Sequence, residues 1–129
     1  MKKLYKSIVF RALILISSCL LSIATASEAP QKKTLDGEIS DSQCGFNVHS
    51  VTRSHDEMIK AGYMGKTPEE CTRNCVRGRG GQFVFVTDDK KHTYRIEPQD
   101  MVKDFAGKKV QIQGTLADEK FHVTGIKPL

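Results

Sequence analysis

The residues able to do chemistry crowd into one stretch, Asp41 to Gly80. It opens with DSQCG at Asp41–Gly45 and closes with CTRNCVRG at Cys71–Gly78. Cys44, Cys71 and Cys75 lie in it, with His49 and His55 between them. Cys71 and Cys75 are four apart, so on a helix they share a face. Their Cβ atoms would then stand about 5–6 Å apart. A disulfide needs about 3.8 Å, so the pair is better placed to bind one metal ion than to bond each other. Adding Cys44 and a histidine gives three thiolates and an imidazole. That set suits tetrahedral zinc or, with fewer ligands, Cu(I). The expected metal set is Cys44, His49, Cys71 and Cys75, with His55 as the substitute for His49.

Two other readings use the same residues. Three cysteines are an odd number, so a disulfide from Cys44 to Cys71 or Cys75 would staple the loop and leave one spare thiol. A thiol redox role would centre on Cys71. Its place in the first half of a helix, with Arg73 nearby, predicts a lowered thiol pKa. Asp41 reads as an Asx turn before Cys44 or as an acceptor for a ligating histidine. Met58 and Met64 read as core packing with the capacity to extend a Cu(I) site. His92 and His122 fall on strands far from the thiols and read as surface residues. Arg73, Arg77 and Arg79 form a basic run that a solvated loop face explains. Enzyme fingerprints of the G-x-S-x-G, H-E-x-x-H, phosphate-loop and dinucleotide kinds do not occur. The expected role is binding, not catalysis.

The elements around this stretch read as a β scaffold. Thr34–Ser40 is a first strand, with Gly37 marking a bulge or bend. Within the excursion, Ser54 and Glu57 form one capping box. Thr67, Pro68 and Glu70 start a second helix, expected from Pro68 to about Arg77. Gln82–Val86 and His92–Glu97 are strands around an Asp88–Lys91 turn. Pro98–Phe105 is a short helix, with Met101, Val102 and Phe105 at helical spacing. Lys109–Leu116 and Phe121–Ile126 are the last strands. This order predicts a mainly β domain, a five-stranded OB-like barrel. A short helix joins strands three and four, and a helical cysteine-bearing insertion, 41–80, follows strand one.

The N-terminus reads as an export signal. Lys2, Lys3, Lys6 and Arg11 precede an apolar run from Ala12 to Ile23, and Ala24-Thr25-Ala26 supplies the small-x-small cleavage pattern. The organisation expected is a signal peptide over 1–26, a flexible leader over 27–33 and the domain over 34–129. A lipid-modified Cys19 or a retained anchor ranks behind cleavage near Ala26. Four of the 20 basic residues and none of the 15 acidic ones lie in the first 26 positions, which leaves the mature chain at +1. A near-neutral exported domain argues against nucleic acid as a partner. The mature chain is expected to be periplasmic or secreted and not membrane-spanning, with a metal ion or small ligand as its partner.

On these motifs the chain resembles a group of short exported bacterial proteins of uncharacterised function. The pattern runs through Asp41, Cys44, Gly45, His49, Cys71, Cys75 and Val76. It continues through Phe83–Val86 and then Phe105-Ala106-Gly107-Lys108-Lys109-Val110-Gln111-Ile112-Gln113-Gly114. The stretch between His49 and Cys71 is longer here than in that group. The resemblance implies a small barrel and an exported location, and no activity.

Overall fold

A computed structural model describes residues 29–46, 55–62 and 64–129, without the side chain of Asp56. His49, Ser54 and the expected signal segment, Cys19 included, lie outside the described residues.

The first strand, β1 (Gln31–Asp41), is long because it serves two neighbours. Its first part, Gln31–Glu38, runs antiparallel to a strand near the C-terminus, and Gly37–Asp41 pairs with the next strand in sequence. The changeover falls at Gly37. A Cβ there would sit 2.2 Å from the Val86 carbonyl oxygen and 2.6 Å from the Phe85 ring. Only glycine lets β1 come that close and turn. β1 starts three residues earlier than the alternation suggests. Gln31–Lys33, assigned by sequence to the leader, pair with Leu116–Gly114.

Three short helices follow: α1 (Ser42–Gly45), α2 (His55–Lys60) and α3 (Pro68–Gly78). Then come β2 (Phe83–Thr87), β3 (Thr93–Glu97), α4 (Gln99–Val102) running into a 3-10 turn (Lys103–Phe105), β4 (Lys109–Ala117) and β5 (Lys120–Pro128). The sheet closes in the order β1-β2-β3-β5-β4, with β3 and β5 parallel and the other pairs antiparallel. This is the five-stranded barrel expected, with its helix between β3 and β4.

Alternation along the strands fills the barrel. Ile39, Phe85, Val110, Ile112, Phe121 and Val123 are buried and form one core with Ile96, Val102 and Ala106. Phe105 packs against it, but Met101 is 39% exposed. The helical spacing that grouped Met101 with Val102 and Phe105 is corrected here. The helix gives way to a 3-10 turn over Lys103–Phe105, so Met101 and Phe105 do not share one helical face. Gln99 closes the barrel end. Its amide accepts from Phe83 N (2.8 Å) and donates to Phe83 O (3.0 Å) and Ile96 O (2.7 Å).

The insertion between β1 and β2 is stitched shut where it leaves the barrel. Ser42 N donates to Gln82 O at 2.8 Å, and Gln43 Nε2 donates to Arg79 O at 3.0 Å. Its far part packs α3 on β1 and on α2. The α3 start also rests on the turn at Gly107 (φ 69°), where a Cβ would lie 2.4 Å from Glu69 N.

Candidate metal centre

Asp41 ends β1 and caps α1. Its Oδ1 accepts from the backbone N–H of Gln43 and of Cys44, each at 3.0 Å. That is the Asx-type turn expected, and it fixes Cys44 one turn inside the strand end. The second oxygen, Oδ2, is buried without a hydrogen-bond partner.

Cys71 and Cys75 come from α3. Thr67 Oγ1 accepts from Glu70 N at 3.1 Å, and Pro68 takes the first turn. The Glu70 carboxylate reaches back to Lys66 N at 2.7 Å, one residue beyond an ordinary capping box. The helix so fixed turns Cys71, Thr72 and Cys75 inward, all buried.

His55 opens α2 and is 8% exposed. Its Nδ1 lies 2.8 Å from Glu38 Oε1. Its Nε2 lies 3.1 Å from Thr72 Oγ1, 3.2 Å from Ser40 Oγ and 3.7 Å from Asp41 Oδ2. Glu38, Ser40 and Asp41 belong to β1, so the strand end and α3 together hold the ring. Glu38, Ser40 and Thr72 were not among the residues singled out from sequence. The available signal was strand parity: positions 38 and 40 share the face opposite buried Ile39.

One donor atom each from Asp41, Cys44, His55 and Cys71 can be chosen so that all lie within 4.8 Å of one another, and all four residues are buried. Cys75 is not among these four. It belongs to a buried cluster with Cys44, Cys71 and Met64, against which Met58 packs. Cys44, Cys71 and Cys75 are free thiols, with no disulfide joining them. His92 and His122 are exposed on the barrel, away from the thiols, as expected.

Burial sets the charge states. It raises the pKa of all three thiols, and the Asp41 carboxylate adds to the effect. For Cys75 the result is about 12. The expectation of a lowered thiol pKa at Cys71 is therefore corrected. Arg73, which was to lower it, pairs instead with Glu69 at 3.0 Å. His55 goes the other way. Burial alone would lower its pKa, but Asp41 and Glu38 outweigh that and lift it to about 9. Burial likewise pushes Asp41 up, yet His55 and the N–H groups of Cys44 and Gln43 hold it below the usual value.

The donors fit a metal ion. Carboxylate, thiolate and imidazole are the zinc-binding side chains. A buried carboxylate oxygen lacking a hydrogen-bond partner is a costly feature, and a bound cation would satisfy it. Glu38 on the far nitrogen of His55 supplies the carboxylate–histidine pairing that orients ligating imidazoles.

Among the described residues no helix is long and apolar enough to cross a membrane. A family of unknown function, DUF5818, matches residues 75–129. That match spans Cys75 and the barrel from β2 onward and stops short of Asp41, Cys44, His55 and Cys71. No curated protein and no solved structure matches the chain.

Proposed function

We propose that this chain is an exported binding protein that holds one thiophilic metal ion through Asp41 Oδ2, Cys44, His55 Nε2 and Cys71, with zinc the best match. The observation that carries this reading is the set of four buried donors within 4.8 Å, with an Asp41 oxygen that has no hydrogen-bond partner. Four protein ligands close a tetrahedral site, and catalytic zinc keeps one position open. The role is therefore binding, storage or structural support. The high thiol pKa values speak against a redox role, which needs an accessible thiolate. The basic, apolar and small-x-small regions of 1–26 support the reading of export, and N-terminal sequencing of the mature protein tests cleavage near Ala26.

Zinc titration against a chromophoric chelator tests the site. Wild type is expected to take up about one equivalent, and Asp41→Asn and His55→Gln to weaken binding by at least roughly tenfold. Asparagine keeps an oxygen for the α1 cap, so its effect reports on the metal. Unchanged affinity in both variants would contradict the ligand set. No zinc, with a single free thiol after denaturation, would favour a disulfide from Cys44 to Cys71 or Cys75 instead.

A further inference from the structure

The outside of the barrel carries a set of groups that the metal centre does not use. Phe83 and Phe85 belong to the barrel core, so Val84 and Val86 face outward on β2. Arg95 and Thr93 are their neighbours on β3. The end of α1 lies over this face. Gly45 stands against Val84 and Thr93, and its carbonyl accepts from Thr93 Oγ1 at 2.9 Å. Phe46, the next residue, is 41% exposed, and the Arg95 guanidinium lies 5.8 Å from its ring centre. Phe46 is shared by two grooves. One, of about 340 Å³, runs past Ser42, Gln82 and Arg95. The other, of about 230 Å³, runs past Thr93, Lys90 and Lys91.

No carboxylate lines either groove. The acids of the surrounding strands are engaged elsewhere. Asp88 pairs with Lys109, Glu97 with Lys120, and Asp89 accepts from Thr87 Oγ1 and from Lys91 N inside the β2–β3 turn. Lys90 N donates to Thr87 O at 2.8 Å, so the turn that presents both lysines is fixed from within. Lys90, Lys91 and Arg95 are exposed, and none makes an ion pair among the described residues.

We infer that Phe46 and its two grooves bind an acidic saccharide. A sugar ring stacks on Phe46, and uronate carboxylates reach Arg95 on one side and Lys90 and Lys91 on the other. A pyranose has a flat C–H face and a rim of hydroxyls, which matches an exposed ring bordered by Ser42, Gln82 and Thr93. An acyl chain needs an apolar slot, and Val84 is buried beneath α1. An oligonucleotide also brings charge and flat rings, but the chain beyond position 26 is near neutral, which disfavours phosphate-driven binding. No group of the metal centre takes part, so the inference stands apart from the zinc reading.

Calorimetric titration of the mature protein with hexagalacturonate tests it, with maltohexaose, hexaglutamate and a thymidine hexanucleotide as comparisons. Hexagalacturonate is expected to bind, and maltohexaose to bind at least roughly tenfold more weakly. Phe46→Leu keeps apolar bulk but loses the ring, and should weaken binding about three- to tenfold with an unchanged urea midpoint. Arg95→Gln, and Lys90→Gln combined with Lys91→Gln, should each weaken binding and reduce its salt dependence. Should Phe46→Leu lower the urea midpoint, the two charge variants decide. Full affinity in a folded Phe46→Leu or in either charge variant would overturn the proposal, as would equal affinity for maltohexaose. Tighter binding of hexaglutamate or of the hexanucleotide would overturn it in favour of a peptide or a nucleic acid. Binding of none of the four would also overturn it.

Discussion

Asp41 uses its two oxygens differently. Oδ1 is spent on the backbone of α1, and Oδ2 faces His55 Nε2 at 3.7 Å without a hydrogen-bond partner. In the metal-free chain the thiols are neutral, His55 is largely protonated and Asp41 is charged. Zinc uptake near neutral pH must then displace two thiol protons and the His55 proton, so calorimetry in buffers of different ionisation enthalpy is expected to find release of about three protons. Affinity rises with pH for the same reason. Stability of the metal-free chain runs oppositely. His55 has a raised folded pKa, so the native state binds more protons than the unfolded state between about 6.5 and about 9. Its contribution is present below the lower value and lost as pH rises through the upper one. The buried thiols, raised from 9.0, extend that loss at higher pH. Urea midpoints of metal-free protein should fall across this range, and His55→Gln should flatten the first part of the fall. Glu38→Gln leaves every proposed ligand in place and is expected to weaken zinc about 10- to 100-fold; unchanged affinity would show that His55 needs no orienting carboxylate.

The elements that place the thiols were legible because their signals are local. Thr67, Pro68 and Glu70 start α3, and the four-residue spacing puts Cys71 and Cys75 on its buried face. Strand alternation likewise gave the barrel core. What sequence could not resolve depended on distant contacts. His55 gains its role from Glu38, Ser40 and Thr72, which β1 and α3 supply from 15 to 17 residues away. The thiol pKa shifts ran opposite to expectation because burial outweighs a neighbouring arginine that is already paired. Thr67→Ala removes the α3 cap and should cost about 1 kcal/mol in denaturant unfolding. Gly107→Ala is more severe, since a methyl there meets the backbone of Pro68 and Glu69 and the φ of 69° disfavours a side chain. It should shift the start of α3 and weaken metal binding without touching a ligand. Full zinc affinity in Gly107→Ala would mean that α3 is placed by the insertion alone.

At the scale of the molecule, a closed barrel carries a metal pocket outside its own core. β1 supplies both: Ile39 points into the barrel, while Glu38, Ser40 and Asp41 serve the pocket. The insertion is tied to the barrel at its neck by Ser42, Gln43, Arg79 and Gln82. A ligand bound only by the folded form stabilises it by about 2.7 kcal/mol at a hundredfold excess over Kd. Chelation should therefore lower the unfolding temperature, and Cys44→Ser should abolish the difference. The most direct measurement is metal content with a thiol count on mature protein purified without chelator. About one equivalent of zinc, with at least the two ligand thiols protected until chelator is added, is the result predicted for a pocket of this donor set. A metal-free protein with one free thiol would contradict it.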